Sequence, residues 1–478
     1  MGENSEQANE ITIKKPPVGL AVFALVGPSM VWAAEYIGSG EVILATRTGA
    51  ILGTSILWAI VIGIFLKFWI GMSGARYTVC TGEGMIDMFD RMPGPKHWAV
   101  WIVLVAQFTS AAFSIGALAT AAGVFVNSII PIGAGLSGWL VTFIAVGIVW
   151  SGIFDVLKIV MSIFVLIIVL GVLYVAAHVF PGFTEILQSL TPSIPQVPEW
   201  ARAIKGVSEN PWKEILPLLG WSAGGFASQV WYTYWVLGAG YGATAGRGYG
   251  RPADVASLRQ MSLDAAEKIK GWCRVLYVDS TLAMVIGIVV TGAFFIAGAG
   301  ILGPAKIAPE GPQVAIELSN LFSLRWGAVG GFLFMLAGAA ALISTQIGQL
   351  AGWPRLLADS FRICIPGFGK KFAWKTQFRL FLLFFICTNM ILVFCFKEQP
   401  VFLVQFAAIL DGLLLTPLQA IWVAIGLFIV MPKLLSKDAF AVLKPNRVFA
   451  VGLVIAFLLF GYFCIFRIPS ALSALFGD

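Results

Sequence analysis

The 478-residue chain is 59% hydrophobic and 12% charged, with a mean hydropathy of +0.90, values that exclude a soluble domain and specify a polytopic membrane protein. The formal charge is +7, and the six cysteines are scattered without a CxxC. The cysteines read as packing residues rather than a disulfide framework, and with His97 and His178 as the only histidines a zinc site and a histidine-based catalytic dyad lack material.

In chain order, residues 1–16 form a polar tail, expected in the cytoplasm, and the apolar run after it is too long for a cleaved signal. Eleven membrane segments follow, near 17–48, 50–72, 98–127, 135–152, 156–180, 213–238, 275–302, 325–350, 376–396, 400–431 and 447–468. They divide into a first repeat (17–180), an extracellular loop (181–212), a second repeat (213–431), a cytoplasmic loop (432–446) and an eleventh helix with the C-terminus (447–478). Residues 253–270 read as a separate amphipathic surface helix.

An odd number of crossings separates the termini. The loops at 239–272, 353–375 and 432–446 are rich in Lys and Arg, whereas 128–134 has none. The positive-inside rule therefore puts the N-terminus in the cytoplasm and the C-terminus outside a bacterial-type plasma membrane. This placement explains the basic charge without nucleic acid; the implied surroundings are a lipid bilayer, with no obligatory protein partner evident.

Segment 1 is interrupted. Its centre reads Tyr36-Ile37-Gly38-Ser39-Gly40-Glu41, with Glu35 just before and Pro28 upstream. Non-helical backbone at membrane depth survives only where protein buries it or water reaches it, and intramembrane acids mark pathways or polar interiors. Segment 6 is interrupted likewise, at Gly220-Trp221-Ser222-Ala223-Gly224-Gly225-Phe226-Ala227-Ser228-Gln229. Breaks in the first and sixth helices point to an inverted five-plus-five repeat with substrate between them. Close helix packing by small residues is the alternative. Asp411 in segment 10 either faces the same cavity or bonds a neighbouring helix. Asp279 reads as structural, and Asp155 with Lys158 as an interfacial pair.

Gly27-Pro28-Ser29 through Glu41, Thr81-Gly82-Glu83 after segment 2 and Ser344-Thr345-Gln346-Ile347-Gly348-Gln349-Leu350-Ala351-Gly352 in segment 8 resemble the Nramp family of divalent-metal transporters. The resemblance implies an all-α LeuT-type fold of the APC superfamily, and proton-linked entry of manganese or iron. The departures are specific. The family's Asp-Pro-Gly-Asn is Gly38-Ser39-Gly40-Glu41 here, and its Met-Pro-His falls on residues 223–225 or 224–226, without Met or His. Its segment 3 acids fall on or near Gln107 and Ser114. This pattern resembles the Nramp-related magnesium transporters, a branch of the family.

The chemistry agrees with that branch. A Met thioether favours transition metals, and its loss removes discrimination against Mg²⁺, which prefers oxygen ligands and keeps several waters. The expected metal site is Glu41 as the principal charge, with oxygens from Ser39, Gln229 and the backbone at Gly38, Ala223 and Gly224. Glu35 and Asp411 are further candidates for the ion path. Restoring Asp at 38 and Met at 223 is expected to favour Mn²⁺. The expected activity is uncoupled uptake of Mg²⁺ or Mn²⁺ as substrate, poor for Ca²⁺. No cofactor is expected, and no HExxH or nucleophile elbow suggests an enzyme. The alternative is an amino-acid or amine transporter of the same fold; Glu41 would repel a carboxylate but accept an amine.

Overall fold

A computed structural model describes residues 13–204, 206–308, 314–396, 400–469 and 473. Positions 1–12 of the expected tail lie outside the described residues, as does most of the chain beyond 469. Among the described residues every regular element is helical. Among the described residues eight helices are long and apolar enough to cross a membrane, Ala134–Val149 is a shorter apolar one, and segments 1 and 6 are each built of two pieces. Together these account for all eleven expected segments.

Segment 1 runs as Pro28–Tyr36, a wide π-helical turn Gly40–Ala45 and then Thr46–Leu52. Segment 6 runs as Trp212–Trp221 and Phe226–Ala239. These pieces are buried at the centre. The outer helices Phe154–His178, Trp374–Phe396 and Arg447–Phe466 keep only about a third of their apolar stretch inside the protein (35%, 33% and 28%), which leaves the rest facing lipid. Segments 2 and 8 are the long struts, at Thr54–Thr81 and Val314–Cys364.

Three boundaries differ from expectation. Segment 2 continues past residue 72 until Gly82 caps it in the left-handed region (φ 76°), so Thr81-Gly82-Glu83 is a helix terminus. Residues 253–270 do not form one surface helix. Asp254 caps a short turn, Val255–Arg259, and Ser262 then caps Leu263–Ala297, so the amphipathic stretch is largely the first turns of segment 7. The same polar pattern suits a membrane helix that emerges from the bilayer. Segment 10 is not continuous: Pro400–Gly412 and Thr416–Ile425 are separated at residues 413–415. Gly412 allows this close approach, because a Cβ there would lie 2.2 Å from the Gly220 carbonyl oxygen.

The expected structural roles hold. Asp279 accepts from Gly27 N–H at 3.2 Å and from Tyr232 Oη at 2.9 Å, tying the start of segment 1 to segments 6 and 7. The exposed Lys158 and Asp155 are 3.6 Å apart. All six cysteines are free.

Candidate transport site between the broken helices

The break in segment 1 frees carbonyls that would otherwise close helical turns. Segment 8 takes them up: Ser344 Oγ donates to Ala34 O at 2.8 Å and Thr345 Oγ1 to Ile37 O at 3.0 Å. This gives the Ser344-Thr345 pair a physical task. Glu41 folds back on its own break. Its Oε2 accepts from Gly38 N–H at 2.7 Å, and its Oε1 accepts from Thr291 Oγ1 at 3.3 Å.

In segment 6 the chain turns through Ala223 (φ 58°) and Gly224 (φ 72°). A left-handed alanine is uncommon, and it lets the helix stop and restart within four residues. Gln229 Nε2 donates to Ala223 O at 3.2 Å. Ser228 joins the two breaks: its Oγ accepts from Trp32 Nε1 at 3.0 Å and donates to Glu35 Oε1. Lys67 of segment 2 donates through Nζ to the carbonyls of Gly220 and Gly224. Sequence reading passed over Lys67.

Asp411 reaches the same place from the interruption in segment 10. Its Oδ1 accepts from Gln107 Nε2 at 3.0 Å, and Gln107 Oε1 accepts from Trp353 Nε1 at 2.9 Å. Asp411 thus both bonds a neighbouring helix and faces the cavity. Gly225 makes room for it, since a Cβ there would stand 2.0 Å from Asp411 Oδ2. Gly225→Ala is therefore expected to cost roughly 1–3 kcal/mol, as overpacked buried sites do. Thermal unfolding of the purified protein checks this, and an unchanged melting temperature would contradict the packing described.

A cavity of ≈ 10 Å³ lies between the three interruptions, about the room one water needs. Glu35, Ser39, Gly224, Ser228, Thr345, Gln349 and Asp411 supply its polar wall, and Tyr36, Trp221 and Trp231 its aromatic wall. Every one of these residues is buried. Of the expected site residues, the structure brings Glu35, Ser39, Gly224 and Asp411 onto this wall. Gly38, Glu41, Ala223 and Gln229 lie outside it. Glu41 has no exposed surface, and its carboxylate is spent on Gly38 and Thr291. Glu41, expected as the principal charge of the metal site, thus stands behind the break rather than on the cavity wall. Among the described residues no three His, Cys, Asp or Glu converge as a ready-made metal cage.

At the face carrying the basic loops, Glu83 binds Arg91 through both oxygens (2.7 and 2.8 Å), Tyr77 Oη at 2.6 Å and Ala253 N–H at 2.6 Å. Beside it, Asp87 pairs with Arg362 at 2.7 Å. Burial pushes the Asp87 carboxyl up to about 7, with Arg362 acting the other way. This network braces the connection after segment 2 against segment 8.

The family model for natural resistance-associated macrophage protein-like (Nramp) proteins matches residues 29–207, a range that includes the first break, Lys67 and Glu83. Over that range the chain is similar to Nramp proteins. Curated relatives include the divalent metal cation transporters MntH of Yersinia enterocolitica (32% identity over 97 residues) and Pectobacterium carotovorum (31% over 97), each match covering 20% of this chain. The match spans about a quarter of the length of these relatives (24%). Among solved structures, a mutant of the Eremococcus coleocola manganese transporter superposes with TM-score 0.70 at 15% identity, over 99% of this chain and 92% of that one. MhsT in complex with L-phenylalanine gives 0.54 at 13%, over 97% and 99%. Mhp1, a nucleobase-cation-symport-1 family transporter, gives 0.57 at 14%, over 98% and 92%. These likenesses carry the fold alone, and it is the expected LeuT-like one.

Proposed function

We propose that this chain carries a divalent cation, Mg²⁺ or Mn²⁺, across the membrane through the cavity between its broken helices. One observation carries the reading: two buried carboxylates, Glu35 and Asp411, reach a single enclosed cavity from different segments. Uncompensated buried carboxylates are costly, and a cation between them offsets that cost. Hard oxygen donors line the wall, with no Met or His among them, which suits Mg²⁺ at least as well as Mn²⁺. Ca²⁺ wants more ligands at longer distances.

The closed cavity is too small for a hydrated ion, so the ion enters with its waters when the halves of segments 1 and 6 part, and the two repeats, 17–180 and 213–431, rock about it. The basic loops support an N-terminus in the cytoplasm. Gln107 and Ser114, where a proton relay would need acids, are neutral hydrogen-bonding groups, the latter 3.4 Å from Gln349 Nε2. Transport is therefore proposed to be uncoupled and driven by voltage. A divalent cation gains about 4.6 kcal/mol per 100 mV. That sustains a gradient on the order of a thousandfold.

The test is uptake into proteoliposomes with a negative-inside potential and an internal pH dye. Mg²⁺ and Mn²⁺ should enter, Ca²⁺ poorly, without acidification beyond that of protein-free vesicles. Absence of divalent flux overturns the reading, and metal-dependent acidification overturns its uncoupled part. The aromatic wall of Tyr36, Trp221 and Trp231 beside two carboxylates supports a second reading, an organic amine held partly by cation–π contacts. Flux of an amine in the absence of divalent flux would select it.

A further inference from the structure

Lys67 lies midway along segment 2 with no exposed surface. Its Nζ donates to Gly220 O, in the last turn of the first half of segment 6, and to Gly224 O, inside the break, at 2.8 Å from the latter. Among the described residues no carboxylate forms an ion pair with it. Two carboxylates act on it at longer range, Asp411 from segment 10 and Glu41 from segment 1, and the Phe460 ring of segment 11 lies 5.9 Å away. Lys67 is not on the cavity wall; Gly224, one of its two acceptors, is.

The Gly220 carbonyl, in the last turn of a half-helix, carries the negative end of its dipole and has lost its intrahelical partner, and the Gly224 carbonyl lies in the non-helical backbone of the break. A small cation could satisfy both oxygens, with the field of nearby carboxylates to hold it. An ammonium on a four-carbon tether does the same without having to bind from solution. We propose that Lys67 is a built-in monovalent cation at the break of segment 6. It takes the place of a free co-ion, so that the two half-helices keep their geometry without one. The consequence for transport rests on the function proposed above; the cation site itself does not.

The experiment uses the full-length protein, purified in detergent and in proteoliposomes. Wild type should melt at the same temperature, and take up metal at the same rate, in sodium, potassium or N-methylglucamine salts. Lys67→Ala leaves a space with two unpaired carbonyls. Its melting temperature should fall and then rise saturably with methylammonium or Na⁺. Lys67→Met fills the space without charge, and methylammonium should not rescue it. Divalent uptake by Lys67→Ala should fall at least about tenfold, the scale of a lost charged hydrogen bond, and recover in part with methylammonium. A folded Lys67→Ala that gains nothing from either cation overturns the proposal. If that variant does not fold, wild type decides: melting or uptake that depends on Na⁺ overturns the proposal, and indifference to it upholds it. If no form carries a divalent ion, the transport reading falls, while rescue of melting still decides the role of Lys67.

Discussion

Glu35→Gln and Asp411→Asn are each expected to reduce Mg²⁺ and Mn²⁺ uptake about a hundredfold while leaving the fold intact. Both carboxylates stand on the cavity wall. At an effective dielectric of about 20, a single negative charge roughly 8 Å from a divalent cation attracts it by about 4 kcal/mol. Even half of this, kept after the costs of desolvation, is more than a decade in affinity, and the full value is close to three. The amide isosteres preserve the local bonds. Gln at 35 still accepts from Ser228, and Asn at 411 still accepts from Gln107. Melting temperatures should therefore stay near that of wild type while flux falls.

Glu41→Gln is the informative contrast. Its amide oxygen can keep the bond from Gly38 N–H, and its amide nitrogen can give to Thr291, whose hydroxyl turns to accept. The break survives, and uptake should fall less than in the other two variants, because this group stands behind the wall. Radioisotope or dye-based flux of the three variants, side by side with their melting curves, makes the comparison. Loss of flux in Glu41→Gln alone, with Glu35→Gln and Asp411→Asn near wild type, would return the principal charge to Glu41.

The interruptions in segments 1 and 6 were legible because glycine runs and acids have no place in a lipid-facing helix. Their positions agree with the sequence to within a residue or two: Ile37-Gly38 in the first case and residues 222–225 in the second. The third interruption was harder to see. Asp411-Gly412 followed by Pro417 is a local signal, but it lies within an otherwise apolar run. What makes it a break is the Gly220 backbone pressed against Gly412, a long-range contact no local pattern carries.

The side chains' directions were less legible than the breaks. Glu41 is at the centre of the motif, yet its short distance to Gly38 N–H turns it inward, a choice between two rotamers rather than a property of sequence. Lys67 sits midway along an apolar helix, which reads as a snorkelling residue until the carbonyls of segment 6 are beside it. The reversion at 38 and 223 shows the same gap. A Cβ at Gly38 would lie 2.3 Å from Thr345 Oγ1, and residue 223 holds a left-handed backbone. Gly38→Asp with Ala223→Met should therefore disturb both breaks before it can retune the ion, contrary to the expectation of a simple gain in Mn²⁺ preference.

The largest effect on stability is expected at Arg47. This residue lies on the second half of segment 1, and Glu214 on the first half of segment 6. Nε and Nη2 of Arg47 reach the two oxygens of Glu214 at 3.1 and 3.2 Å, and both side chains are almost wholly buried (2% and 1% exposed). Arg47 Nη1 also donates to Ala308 O at 3.4 Å, and Gln405 Nε2 of segment 10 donates to Glu214 Oε2 at 3.3 Å. The pair thus clamps the half-helices on the side away from Lys67, together with segment 10. Truncating one member leaves the other charge buried without its counter-ion, which costs about 3–5 kcal/mol in buried pairs. Arg47→Ala should accordingly lower the melting temperature sharply. Replacing both at once, Arg47→Met with Glu214→Gln, should recover most of the loss, because no lone charge remains and the volume is largely filled. Melting of Arg47→Met, Glu214→Gln and the double variant in detergent tests the coupling. If the double variant is as unstable as the sum of its parts, the two side chains do not act as a pair, and the link between the half-helices must lie in the backbone contacts instead.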